Sequence, residues 1–97
     1  MIRIVKMTFK PAHVATFQQL FAQRKAQIAA FDGCQGVTLL QDNDNPAVFF
    51  TYSHWQSAAH LEQYRQSAFF KDTWEQTKAL FAAKPAAWST EIVNEAQ

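Results

Sequence analysis

The sequence contains few of the residues on which common enzyme and membrane signatures depend. Of its 97 residues, only one is cysteine and two are glycine. A single cysteine, Cys34, excludes an intramolecular disulfide and is typical of a reducing compartment. The two glycines, Gly33 and Gly36, cannot build a dinucleotide-binding fingerprint or a phosphate-binding loop. No apolar run reaches the roughly 18 residues of a membrane helix.

Charge and histidine placement exclude further classes of function. The net charge is +1, so no global field draws nucleic acid or an anionic membrane surface. No Gly-x-Ser-x-Gly elbow of a serine hydrolase is present. His13, His54 and His60 fall on different predicted segments, so we expect no metal site. The first ten residues alternate like a strand instead of forming an apolar signal core, and we expect a cytoplasmic protein.

The sequence does have enough apolar material for one hydrophobic core. Hydrophobic residues make up 48% of the chain and aromatic residues 14%. This composition excludes a disordered or low-complexity chain. The length matches one domain on the usual scale of roughly 100–200 residues, and no linker or repeat divides the sequence. We therefore predict a single domain over residues 1–97.

Hydrophobic periodicity predicts seven elements in the order β-α-β-β-α-α-β. The strands are predicted over 2–9, 36–41, 47–55 and 87–93. The first helix is predicted over about 11–30. The second is predicted to begin after a cap at Ser57, and the third over about 68–82 after a cap at Ser67. A run of turn formers at 42–46 joins the second and third strands as a hairpin. This order predicts a ferredoxin-like α+β fold, a four-stranded antiparallel sheet with helices on one face.

The third predicted strand carries large apolar side chains on both of its faces. Its residues alternate between two sets, Phe49, Thr51, Ser53 and Trp55 on one side and Val48, Phe50, Tyr52 and His54 on the other. The first strand places Ile2 and Ile4 opposite Val5, Met7 and Phe9. Helices cover only one face, so the other would expose an apolar patch of the kind that marks an interface. We therefore expect a homodimer through the open sheet face.

Short motifs in the middle of the chain carry a resemblance to a known family. They are Trp55-Gln56-Ser57, Ser67 followed by Phe70-Lys71, and the Phe31-Asp32-Gly33-Cys34 turn. With the element order, they resemble the antibiotic biosynthesis monooxygenase family over essentially the whole chain. The resemblance implies a dimeric α+β barrel with a pocket between sheet and helices. It also implies that no cofactor is needed, since several members oxygenate aromatic polyketide-like substrates without metal or flavin.

Two branches of this family supply expectations for individual positions. The polyketide-oxidising branch has an Asn and a Trp four residues apart on the third strand, where this chain has Thr51 and Trp55. The haem-degrading branch has an Asn, a Trp and a His at positions that correspond here to Met7, Tyr64 and Trp74. Because no imidazole stands at Trp74 to ligate the iron, the resemblance disfavours haem degradation.

The prediction that follows is a cofactor-independent monooxygenase acting on a small phenolic or anthrone-like substrate. We predict two catalytic residues: His54 as a base, since imidazole accepts protons near neutral pH, and Tyr64 as a hydrogen-bond partner of the phenolate. The predicted pocket residues are Met7, Phe9, Thr51, Trp55 and Trp74.

Two alternatives stay open. The first is a dimeric barrel that binds a small apolar ligand without catalysis. The second is an isomerase or other proton-transfer enzyme, which would need a carboxylate or histidine in the pocket. Glu62 and Glu75 are the nearby helical carboxylates, and we expect both to face solvent.

Overall fold

The computed structural model describes residues 1–97 and has the element order that the sequence predicts. The strands are β1 (Ile2–Thr8), β2 (Cys34–Gln41), β3 (Val48–Trp55) and β4 (Ala86–Thr90). The helices are α1 (Val14–Ala29), α2 (Ala58–Gln66) and α3 (Ala68–Lys78), with a short 3-10 turn at Pro11–His13 before α1. None of the helices combines the length and the apolar character needed to cross a membrane.

All four strands join one antiparallel sheet in the order β2-β3-β1-β4, which confirms the predicted ferredoxin-like α+β fold. Val5 on β1 lies opposite Thr51 on β3, and both side chains point toward the helices. The next β1 residue, Ile4, lies opposite Tyr52 on β3 and Trp88 on β4. Directly opposed residues share a face of the sheet, so Ile4, Tyr52 and Trp88 point away from the helices.

The helix boundaries at the middle of the chain follow from local capping. The Ser57 hydroxyl accepts a hydrogen bond from the His60 backbone N–H at 3.2 Å, and the Ser67 hydroxyl accepts one from the Phe70 N–H at 3.1 Å. Each serine satisfies one of the unpaired donors of a first helical turn. Both predicted caps are therefore confirmed. After α1, Gly33 adopts a φ of +82°, which a glycine reaches without steric cost.

Two buried clusters form the core between the helices and the sheet. The first contains Met7, Phe9, Phe17 and Phe49. The second contains Ile28, Trp55, Leu61 and Tyr64. The clusters lie at different positions along the sheet, and the space between them becomes the cavity described below.

Most predicted element ends differ from the structure by one or two residues, whereas the third helix and the last strand end three or more residues early, and pairing with β1 explains both. The predicted helix over 68–82 ends at Lys78. Phe81 instead forms a bridge with Phe9, and the Ala82 N–H donates to the Thr8 carbonyl at 2.8 Å. The last strand ends at Thr90 instead of residue 93, because Thr90 already lies opposite Ile2, the first residue of β1.

The sheet face that points away from the helices is largely apolar. In the middle of this face, Thr38, Tyr52, Ile4 and Trp88 lie side by side across all four strands. Trp88 is 48% exposed, and Leu40 on the same face is 47% exposed. No element of the chain is packed over this row. We call this surface the outer face, and the helix-covered surface the inner face.

Candidate functional site

A cavity of about 330 Å³ lies between the inner face of the sheet and the three helices. Fourteen of its 22 lining residues are hydrophobic. Ligand cavities in proteins have this character, with apolar walls and a few polar groups that fix orientation. The cavity touches both core clusters, since Met7 and Phe17 of the first and Trp55 and Tyr64 of the second all line it.

Stacked aromatic rings form one wall of the cavity. The Trp55 and Tyr64 rings stack with centroids 5.0 Å apart, and Phe70 meets Tyr64 edge-on at 5.0 Å. Phe70 and Trp74 lie four residues apart on α3, on one face of the helix, and their rings are nearly parallel at 6.0 Å. This side of the cavity is therefore a continuous aromatic surface.

Trp55 is held in a fixed orientation. Its side chain is 1% exposed, and its indole Nε1–H donates to the Ser53 hydroxyl at 3.0 Å. Its donor is thus already used within the protein. Thr51, Ser53 and Trp55 share the inner face because side chains alternate along a strand.

The Tyr64 phenol is a hydrogen-bond donor available to a ligand. Burial, with a smaller contribution from nearby Cys34, raises the pKa of Tyr64 well above its ordinary value. The hydroxyl makes no hydrogen bond to another protein group. The phenol therefore keeps its proton near neutral pH and offers it to whatever occupies the cavity.

Three arginines, Arg3, Arg24 and Arg65, are the charged residues of the cavity lining, which contains no aspartate, glutamate, histidine or lysine. Arg24 donates to the Asp72 carboxylate at 3.1 Å and to Thr73 at 2.8 Å. Arginine is therefore the one charged residue type in the lining of this aromatic cavity.

Hydrophobic periodicity and the family motifs do not single out these arginines. A signal was available for Arg3, which shares the two-residue period of Val5 and Met7 on β1. Since alternate residues of a strand point to one face, Arg3 had to point to the same side as these apolar residues. For Arg24 and Arg65, helical periodicity alone does not distinguish a residue at the cavity from one that faces solvent.

The structure brings together five of the seven residues proposed from the sequence. Met7, Thr51, Trp55, Tyr64 and Trp74 all line the cavity.

Phe9 and His54 are not among the lining residues. Phe9 is 1% exposed and stacks on Phe17 with centroids 4.0 Å apart, inside the first core cluster. His54 lies on the outer face, opposite Ile2 and edge-on to Tyr52 at 5.1 Å. Strand alternation places it on the side opposite to Trp55.

The side chains of aspartate, glutamate, histidine and cysteine, which most often bind metals or transfer protons, lie away from this cavity. Glu62 and Glu75 are exposed, as expected, and neither lines the cavity. No group of three or more His, Cys, Asp or Glu side chains is arranged to hold a metal ion. The proton-transfer alternative therefore lacks the carboxylate or imidazole that it needs in the cavity.

The fold and the cavity define a ferredoxin-like α+β protein with an aromatic, arginine-containing cavity between sheet and helices. The sequence model of the family described as antibiotic biosynthesis monooxygenase matches residues 1–76. The chain belongs to this family. No curated protein matches the sequence.

Solved structures with the same fold cover nearly the whole chain. Rv0793 from Mycobacterium tuberculosis has a TM-score of 0.88 at 19% identity, covering 99% of this chain and 97% of that chain. A structure described as an antibiotic biosynthesis monooxygenase has a TM-score of 0.88 at 16% identity, covering 97% and 100%. A conserved protein from Methanosarcina mazei Go1 has a TM-score of 0.83 at 23% identity, covering 89% and 86%. At these identities the likeness shows the fold alone.

The raised pKa of Tyr64 predicts a loss of stability at alkaline pH. An unfolded tyrosine ionises near pH ~10, whereas folded Tyr64 keeps its proton to higher pH. Below pH ~10 both states are protonated, so this group gives no pH dependence. Above it the unfolded chain releases the proton first, and the free energy of unfolding falls by up to about 1.4 kcal/mol per pH unit.

The measurement is denaturant unfolding from pH 7 to 11 for the wild type and for Tyr64→Phe. We expect the variant to lose less stability than the wild type above pH ~10, because it has no phenol at this position. Parallel curves for the two proteins would contradict a buried, protonated Tyr64.

Proposed function

We propose that this protein is a cofactor-independent monooxygenase acting on a small, planar phenolic or anthrone-like substrate. The observation that carries the proposal is the aromatic cavity between sheet and helices, in a chain of the antibiotic biosynthesis monooxygenase family. Its wall contains the half-buried rings of Phe70 and Trp74, which are nearly parallel at 6.0 Å, beside the buried and mutually stacked Trp55 and Tyr64. We treat residues 1–97 as the one domain that performs this function.

Three donors could stabilise an oxyanion that develops on such a substrate. The hydroxyls of Thr51 and Tyr64 and the indole N–H of Trp74 belong to lining residues and make no hydrogen bond as donors within the protein. Donors that are fixed before the reaction stabilise developing negative charge without reorganisation. We assign hydrogen bonding of the substrate oxygen to Thr51 and Tyr64, and the ring contacts to Met7, Trp55 and Trp74.

The proposed reaction balances with O2 as the only oxidant. An activated CH2 group of the substrate releases a proton to water and becomes a delocalised carbanion. The carbanion donates its electron pair to O2, and the new C–O bond gives a peroxide anion. Protonation followed by loss of water breaks the O–O bond and leaves a C=O group. One oxygen atom ends in the product and the other in water.

The cavity does not supply a base for the first step. No imidazole or carboxylate lines it, and His54 lies on the outer face. The substrate must therefore be acidic enough to lose its proton to water, helped by the positive charge of the cavity. Placing an anion beside cations favours its ionised form.

Haem degradation does not fit this cavity. Among the lining residues there is no histidine, cysteine or lysine, and Met7 is the one methionine. Tyr64 keeps its proton because burial raises its pKa, so a tyrosinate bond to iron is disfavoured. Trp74 occupies the place expected for the axial imidazole.

One alternative function is favoured by a specific observation. Since the cavity lacks a side chain that accepts a proton near neutral pH, a barrel that binds an aromatic ligand without transforming it also agrees with the geometry. Oxygen consumption separates the two functions.

The test is O2 uptake by the metal-stripped protein with a panel of anthrones and hydroquinones, corrected for the uncatalysed rate. We expect saturable uptake. Thr51→Val removes one oxyanion donor and should lower the rate at saturation roughly tenfold, the usual scale for one hydrogen bond to a charged group. Thr16→Val, the same change at an exposed position of α1, is the matched control and should leave the rate unchanged.

A flat trace across the panel would contradict the oxygenase and favour the ligand-binding alternative. Equal losses in Thr51→Val and Thr16→Val would contradict the role assigned to Thr51, because the effect would not be specific to the cavity.

We further propose that the protein is a homodimer joined through its outer faces. The row of Tyr52, Ile4 and Trp88 has no covering element within the chain, and Leu40 and Trp88 are about half exposed. Contiguous exposed apolar surface of this kind marks interfaces. A second copy is the simplest partner, because this face presents the same apolar row to itself.

The oligomeric state tests this assignment. Ile4→Lys places a charge in the middle of the outer face, and burying an unpaired charge opposes association. We expect sedimentation at micromolar concentration to show a dimer for the wild type and a monomer for Ile4→Lys. Val93→Lys is the control, since Val93 is 96% exposed and lies outside the strands. A monomeric wild type, or a dimeric Ile4→Lys, would contradict the proposal.

A further inference from the structure

We infer that the ligand of the inner cavity is an aromatic carboxylate whose anionic group pairs with Arg3. This inference rests on the proposed function for the place of binding, and it adds the chemical class of the substrate. It follows from the unequal pairing of the three arginines around the cavity.

Two of these arginines already have carboxylate partners. Arg24 lies 3.1 Å from an oxygen of Asp72, and Arg65 lies 3.2 Å from an oxygen of Glu62. Arg24 also lies over the Phe69 ring at 5.6 Å. These contacts hold the two guanidinium groups at the rim of the cavity.

Arg3 is different, because no carboxylate oxygen lies within ion-pair distance of it. None of the five ion pairs of the chain includes Arg3. Its hydrogen bond is a single one, from Nη1 to the Ser89 hydroxyl at 3.0 Å. A guanidinium has five N–H donors in a planar fork, so most donors of Arg3 remain free. This fork matches the two oxygens of a carboxylate.

The surroundings of Arg3 favour an anion at this point. Partial burial, and then the positive charge of nearby Arg65, lower the pKa of the Arg3 guanidinium, and the Glu62 carboxylate, which is beyond ion-pair distance, offsets only part of this shift. Arg3 nevertheless stays charged, since an arginine pKa is far above neutral. A half-buried cation beside a second cation is destabilising on its own, and a bound anion would offset that cost.

The sheet register gives the direction in which the ligand would lie. Arg3 lies between Ser53 on β3 and Ser89 on β4, so this row of cross-strand neighbours on the inner face is polar. Moving along β1, Val5 and then Met7 line the same cavity and make it apolar. Successive inner-face residues of a strand lie roughly 6.6 Å apart. A carboxylate at Arg3 therefore places an attached ring over Val5.

The far end of the cavity accommodates the rest of the ring system. Trp74 packs against the cluster that contains Met7, and both residues line the cavity. A carboxylate attached directly to a fused ring would pair with Arg3 and direct its ring from Val5 toward this apolar end. An uncharged fused ring would fill the apolar end and leave Arg3 unpaired.

The test compares two probes of nearly the same shape, 2-naphthoate and the neutral 2-naphthamide, by calorimetric titration. We expect the wild type to bind 2-naphthoate at least tenfold more tightly, the usual scale for charge-assisted hydrogen bonds. Arg3→Gln should remove this preference and leave 2-naphthamide binding nearly unchanged. Arg3→Lys should restore part of it, because the charge returns without the planar fork.

Lys25→Gln is the matched control for the loss of one positive charge. Lys25 is exposed on α1 and does not line the cavity, and this variant should keep the wild-type preference. Equal binding of the two probes to the wild type, or an unchanged preference in Arg3→Gln, would overturn the inference. Failure of both probes to bind at millimolar concentration would overturn it as well.

The readout is independent of turnover, so it separates this inference from the proposed function. A protein that prefers 2-naphthoate through Arg3 but consumes no O2 would keep the inference and lose the oxygenase. A protein that consumes O2 but binds both probes equally would support the oxygenase and contradict the inference.

Discussion

The antiparallel register between β1 and β3 is the constraint on which the rest of this structure depends. It places Val5 beside Thr51 on the inner face and Ile4 beside Tyr52 on the outer face. Side chains alternate along a strand, so a slip of one residue would exchange the two faces completely. The cavity floor would then become the exposed surface, and Arg3 would leave the cavity. Both the proposed ligand site and the proposed dimer surface thus follow from one set of strand pairs.

The cavity combines aromatic walls with positive charge and lacks a side chain that accepts protons near neutral pH. In the proposed reaction the protein therefore contributes binding and electrostatics and not a base. The proposal has a flat substrate ring beside Trp74, with Thr51 and Tyr64 as donors to its oxygen. Because Tyr64 is buried and keeps its proton, it acts as a donor and not as a base. The substrate must therefore supply its own acidity.

The sequence predicted the fold well where local signals decide the structure. The caps at Ser57 and Ser67 and the turn at Gly33 depend on neighbouring residues, and all three are present. The ends of α3 and β4 depend instead on pairing with β1, a distant segment. Phe81 continues the helical spacing of apolar residues, yet it leaves the helix to form a bridge with Phe9. Periodicity within one segment carries no information on such pairing.

The candidate site was predictable only in part, for the same reason. Strand alternation was enough to place Thr51 and Trp55 on one face and His54 on the other. The same rule would have placed Arg3 in the cavity, but a single charged residue among apolar ones is easily taken for a solvated group. The cavity itself arises from the spacing between two core clusters, which depends on how three helices pack together.

The central claim, that the ligand site is the inner cavity, is tested most directly by the indole N–H signals of the three tryptophans. Trp74 lines the cavity, Trp55 donates to Ser53 at its edge, and Trp88 lies on the outer face. Adding 2-naphthoate to 15N-labelled protein should shift the Trp74 signal in a saturable way and leave the Trp88 signal in place. A saturable shift of Trp88 without one of Trp74 would contradict the account.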